Sequence, residues 1–211
     1  MSSLIFDFGE SHVFLASDTL AVDHLGEPAF FTSKAQYVPH LRTIIAGTGY
    51  AGFSWNWATI VNNRILVSGI ENLDYHTPSG LRELWSEGGY NASESDQSTT
   101  VYQLGYSSLE NRMKGYAYRS ANNFVSEPLE YGLRVKPHCE VIQSDSFLQD
   151  VIKMMNDQRK LEAQKSLKER VYIGGQISLF TLDAHVCSQA TIFEFDDFKE
   201  HFEIALSNIP R

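Results

Sequence analysis

The sequence predicts an α+β fold in which sheets pack against helices within one domain spanning residues 1–211. Three observations carry that expectation. Strand-like runs lie towards both ends of the chain, and the apolar residues switch to helical spacing between them. The 211 residues are 43% hydrophobic, enough for a full core with no disulfide or metal to staple it.

The chain opens with two β-rich runs, Leu4 to Phe8 and Val13 to Ser17, joined by the turn Gly9-Glu10-Ser11-His12. Asp18 emerges where the second run ends. After a turn at Gly26-Glu27-Pro28, Ala29 to Thr32 reads as a strand that delivers Lys34. Arg42 to Ala46 is a buried-type strand running into Gly47-Thr48-Gly49. Phe53, Trp57, Ile60, Val61 and Ile65 then recur at helical spacing and predict a helix from about Gly52 to Leu66. Trp55 and Trp57 lie two apart on that helix, so both cannot face the core. Thr77 as a cap and Pro78 at the first helical position predict the start of a second helix, with Leu81, Leu84 and Trp85 on its apolar side. Gly88 to Ser98 is polar and acidic, a surface loop.

Thr99 to Ser107 and Arg112 to Ser120 read as strands flanking a turn at Ser108 to Asn111, and Leu129 to Val135 as another. A long helix begins at Ser144 or Asp145 and buries Phe147, Leu148, Val151, Ile152 and Met155. Its charged continuation, Gln158 to Arg170, reads as a solvated face. Val171 to Leu182, interrupted by Gly174-Gly175, and Thr191 to Phe195 are the last strands. Asp196-Asp197 caps a final amphipathic helix.

Composition narrows the function classes. A net charge of −9 argues against a nucleic-acid partner, which needs a basic footprint. No run approaches the roughly twenty apolar residues of a membrane span, and the first residues lack the basic start of a signal peptide. Two cysteines far apart, Cys139 and Cys187, fit a reduced, cytoplasmic protein, in which Asn91-Ala92-Ser93 is a chance match to a glycosylation site. The sequence holds no phosphate loop, HExxH, GxSxG or dinucleotide fingerprint, and its seven histidines are scattered singly, so no cofactor or metal is expected.

The N-terminus carries the chemistry. Removal of Met1, which a residue as small as Ser2 permits, would leave a hydroxyl and a free α-amine on one residue. Such an amine can serve as general base for its own side chain. Its ordinary pKa of about 7.7–8.0 makes part of it free base at neutral pH, and a neighbouring ammonium enlarges that fraction. Asp18 lies sixteen positions after Ser2, and Lys34 sixteen after Asp18. Lys34 would supply the ammonium, Asp18 would hold it charged, and the Gly47 N–H would meet a developing oxyanion.

These residues and their surroundings resemble the proteasome β-type subunits of the N-terminal-nucleophile (Ntn) hydrolase family. Ser2-Ser3-Leu4-Ile5 stands where that family has its nucleophile strand, and Ala16-Ser17-Asp18-Thr19 is similar to the end of its second strand. Thr32-Ser33-Lys34 stands at its catalytic lysine, and Ala46-Gly47-Thr48-Gly49 at its turn before the first long helix. Tyr172 to Phe180, with Gly174-Gly175, is similar to its late Gly-Gly strand. The resemblance covers residues 2 to about 66 and 170 to 182, and is loose between. It implies a four-layer αββα sandwich of two antiparallel sheets between helical layers, with Ser2, Asp18, Lys34 and Gly47 catalytic. It also implies a peptide or small amide substrate and a homo-oligomer, a ring or stacked assembly.

Two departures favour a second reading. The family supports its N-terminal amine with an aspartate and a serine just before the Gly-Gly pair, where this chain has Arg170 and Ile173. Ser120 is the candidate for a further supporting serine. A catalytically inactive scaffold or assembly protein of the same fold is therefore the alternative, and an unrelated α+β binding domain the third.

Overall fold

Alternation along the first strand sets the direction in which the molecule is built. Leu4, Phe6 and Phe8 enter one buried cluster while Ile5, between them, enters another, so this strand is covered on both faces. The computed structural model describes residues 2–90 and 99–208. In chain order its strands are β1 (Leu4–Phe8), β2 (Val13–Asp18), β3 (Leu20–Val22), β4 (Pro28–Phe31), β5 (Ala35–Val38), β6 (Thr43–Thr48), β7 (Thr100–Ser107), β8 (Arg112–Arg119), β9 (Ser126–Pro128), β10 (Gly132–Lys136), β11 (Gln176–Leu182) and β12 (Cys187–Glu194). The helices are α1 (Phe53–Arg64), α2 (Ile70–Glu87), α3 (Phe147–Ala163) and α4 (Phe198–Ser207).

Two five-stranded antiparallel sheets result, ordered β10-β1-β2-β11-β12 and β5-β6-β7-β8-β9, with β3 and β4 forming a separate hairpin. The inner faces meet over Leu4, Phe6, Phe8 and Leu15 from one sheet and Ile44, Ala46, Leu104 and Ala117 from the other. On the outer face of the second sheet, Ile45, Val101 and Tyr118 pack under Phe53, Trp57 and Val61 of α1 and Ile70, Leu73 and Leu81 of α2. On the outer face of the first, Ile5, Ala16 and Ile177 pack under Val151, Met154 and Met155 of α3. The layers run helix, sheet, sheet, helix: a four-layer αββα sandwich. α4 leans on the small hairpin, where Phe31 meets Phe198 edge-on with centroids 5.1 Å apart.

The strand predictions from 4 to 17 and from 99 to 120 agree with the structure to within a residue. The second helix does not. It begins at Ile70, and Pro78 lies inside it rather than at its start. Ile70, Leu73, Thr77 and Leu81 form one buried stripe at spacings of three and four, and packing of that stripe outweighs the proline's missing N–H. Thr77 is no cap, because its hydroxyl donates to the Leu73 carbonyl at 2.7 Å. The region from 158 to 170 also departs from its reading: α3 ends at Ala163, and Gln158 and Glu162 are buried, not solvated. Short strands β3, β5 and β9 escaped the sequence because three or four residues carry too little alternation to register. Asn91-Ala92-Ser93, and all but the first residues of the 88–98 loop, fall outside the described residues.

Candidate functional site

At one end of the sheets, Ser2, Lys34, Gly47 and Thr48 line a cavity of about 290 Å³ together with Phe30, Tyr50, Trp55 and Tyr172. The fold therefore brings Ser2, Lys34 and Gly47 from three separate segments to one opening, and Trp55, the tryptophan turned out of the core, lines it too. Among the described lining residues Lys34 carries the only charge.

Asp18 lies behind this surface and is fully buried. It ends β2, opposite Ile177 of β11. One carboxylate oxygen accepts the Ser3 N–H at 2.9 Å and the other the Gly174 N–H at 3.3 Å. Burial pushes its pKa above the usual carboxylate value, against the opposing pull of the Lys34 charge and of these two N–H groups. Lys34 sits between β4 and β5, and its ammonium donates to the Leu20 carbonyl at 2.7 Å. Burial lowers its pKa, and the charge of Asp18 opposes that shift.

The Gly-Gly pair has a local cause. The Gly174 carbonyl accepts the N–H groups of Thr19 and Leu20 while its own N–H turns to Asp18. Gly175 has φ of +76°, and a Cβ there would stand 2.5 Å from Thr19 Oγ1. Gly47 is a glycine for a different reason: a Cβ would stand 2.4 Å from Ser54 Cβ on α1. Its N–H does not stand free, since it donates to the Lys34 carbonyl at 3.2 Å. The next residue, Thr48, has a buried hydroxyl with no hydrogen-bond partner among the described residues.

The residues at the family's supporting positions do not reach the cavity. Arg170 donates to the carbonyls of Ala163 and Lys165, and Ile173 is buried under α3. Ser120 is also elsewhere: its hydroxyl accepts the Thr99 N–H at 3.0 Å and closes the end of β7 and β8. The sequence reading missed Ser3, whose hydroxyl donates to Gln158 at 2.6 Å. The available signal was Gln158 itself, a polar residue seven positions after Val151 on the buried stripe of α3.

No family model matches the chain, and no curated protein matches it by sequence. Solved structures do match in shape. Anbu (ancestral beta-subunit) from Yersinia bercovieri is similar with a TM-score of 0.57 at 13% identity, over 99% of this chain and 98% of that one. A Gly-1 mutant of Anbu from Hyphomicrobium sp. strain MC1 is similar with a TM-score of 0.63 at 14% identity, over 100% and 99%. Anbu from the same strain gives 0.57 at 14% identity, over 100% and 99%. The fold is the proteasome-like Ntn fold. Within that fold, the cavity lies where the start of β1 meets the end of β6. Among the described residues no helix is long and apolar enough to cross a membrane, and no group of three or more His, Cys, Asp or Glu could hold a metal ion.

Proposed function

We propose that the chain is a single-domain, cytoplasmic Ntn amidohydrolase or peptidase that uses Ser2 once Met1 is removed. The observation that carries this reading is the convergence of Ser2, Lys34 and Gly47 on one cavity with Asp18 buried behind it. Ser2 Oγ attacks an amide carbonyl and its proton passes to the Ser2 amine, which returns it to the departing amine as the C–N bond breaks. Water then attacks the resulting ester, the Ser2 amine takes a proton from it, and the acid leaves with Ser2 Oγ–H restored. Lys34 keeps the Ser2 amine in its basic form by charge. The oxyanion is met by the Gly47 N–H, released from the Lys34 carbonyl. Peptides or small amides are the substrates. Anbu from Yersinia bercovieri is described as an ancestral beta-subunit, and a homo-oligomeric ring or stack is proposed for this chain.

A second reading is favoured by Arg170 and Ile173, which point away from the cavity: an inactive scaffold of the same fold. Intact mass and a Ser2→Ala variant separate the two. The hydrolase has a mass lacking Met1, and Ser2→Ala loses turnover while keeping its melting temperature. Met1 retained in native protein, or turnover unchanged in Ser2→Ala, would leave the scaffold.

A further inference from the structure

With Arg170 and Ile173 turned elsewhere, something else must hold the segment that carries Ser2. Ser3 is fully buried and fixed on two sides. Its N–H donates to Asp18, and its hydroxyl donates to Oε1 of Gln158 at 2.6 Å. Gln158 is also fully buried, and its Nε2 donates to the Pro137 carbonyl at 2.5 Å, one residue past β10. The Pro137 carbonyl can only accept, so it fixes which way the Gln158 amide lies. Oε1 must then face Ser3, and the Ser3 hydroxyl must be the donor. One side chain of α3 thus ties the start of β1 to the end of β10, strands already paired at Leu4 and Lys136. Strand alternation sends the side chain of Ser3 towards α3 and that of Ser2 to the opposite face, where the cavity lies.

We propose that Gln158 is the positioning residue for the nucleophile, acting through Ser3 in place of the family's support at positions 170 and 173. The inference rests on the reading of Ser2 as nucleophile. Gln158 touches no reacting atom: it sets the backbone from which Ser2 Oγ and its amine project. A displacement of about 1 Å at such a point costs on the order of 10²-fold in rate.

The test is acylation by a peptide β-lactone, in which Ser2 Oγ opens the ring to give an ester and a free hydroxyl on the probe. Intact mass and peptide mapping follow the rate constant and the binding constant separately, well below each variant's melting temperature. For Gln158→Leu and Ser3→Ala we expect the rate constant to fall about 10- to 100-fold with binding of the probe unchanged. The double variant should be no slower than the slower single one, and Ser3→Thr should retain the wild-type rate. Gln158→Glu guards against a Leu variant that does not fold. Protonated, it can still donate to Pro137 and accept from Ser3, so its rate relative to wild type should rise as pH falls. Wild-type acylation with unchanged rate constants in the variants, even alongside lower melting temperatures, overturns the positioning role alone. A wild-type protein of mass lacking Met1 that is not acylated at Ser2 overturns the nucleophile reading itself, and the inference with it.

Discussion

Asp18 and Lys34 act on each other through their charges without a direct ion pair. Both carboxylate oxygens of Asp18 face backbone N–H groups, those of Ser3 and Gly174, and the Lys34 ammonium donates to the Leu20 carbonyl. The sequence leads one to expect Asp18 to hold Lys34 charged and in place; in the structure the hydrogen bond that holds Lys34 goes to a main-chain carbonyl, and Asp18 acts on it through charge alone.

The first prediction concerns pH. The folded pKa of Asp18 lies above the ordinary carboxylate value of 3.8, so the folded state holds its proton more tightly than the unfolded chain does. The resulting stabilisation is complete below pH 3.8 and is lost as pH rises through the folded value. Asp18→Asn cannot titrate, so the melting temperature of wild type relative to this variant should decline as pH rises from 4 towards 7. The variant carries a constant penalty, since its amide NH₂ would oppose one of the two N–H donors, and only the slope is diagnostic. A flat difference in thermal scans would contradict it.

Lys34→Met removes the donor to Leu20 and the charge that offsets Asp18. Stability should fall by roughly 1–3 kcal/mol in urea unfolding. Turnover or acylation should fall by about 10²- to 10⁴-fold, as expected when the group tuning a general base is lost. Adding Asp18→Asn should restore part of the stability and none of the rate. Recovery of both would show that Lys34 acts only through folding.

For Gly47→Ala, the new methyl meets Ser54 Cβ at 2.4 Å and the Thr100 carbonyl at 3.1 Å. Overpacking of this kind costs about 1–3 kcal/mol. Gly47→Ala combined with Ser54→Gly should recover part of that in urea unfolding, the tight approach to the Thr100 carbonyl and the new glycine in α1 accounting for the remainder. An equal loss in the single and double variants would place the strain elsewhere.

Thr48→Val separates activity from stability in the opposite direction. Its hydroxyl is buried without a partner among the described residues, so replacing it with a methyl should leave the melting temperature unchanged or higher. If the hydroxyl meets the oxyanion, the acylation rate should still fall by roughly 10²-fold, and Thr48→Ser should retain it. A Thr48→Val protein that reacts at the wild-type rate removes Thr48 from the chemistry.

Much of the site was legible because its residues sit at strand ends and turns, where sequence punctuation is strongest. Asp18 ends β2, Lys34 follows the turn after β4, and Gly47 closes a run of apolar residues. Pro78 misled because its usual meaning is local, whereas the stripe from Ile70 to Leu81 is satisfied by a sheet remote in sequence. Gln158 was hidden for the same reason. Its polarity and its charged neighbours describe a solvated surface, and only its partners, Ser3 and Pro137, make it an interior residue.

Those partnerships bear on the order of events during synthesis. Ser3 is 155 positions from Gln158, and Asp18 is 156 from Gly174. A ribosome adding about 5–20 residues per second exposes Ser2 many seconds before either partner exists. Until Gly174 has emerged, Asp18 lacks one of its two N–H donors and the N-terminal segment lacks its anchor in α3. A nascent chain therefore carries an unorganised serine, and any reactivity at that residue switches on only once Gln158 and Gly174 have emerged and packed.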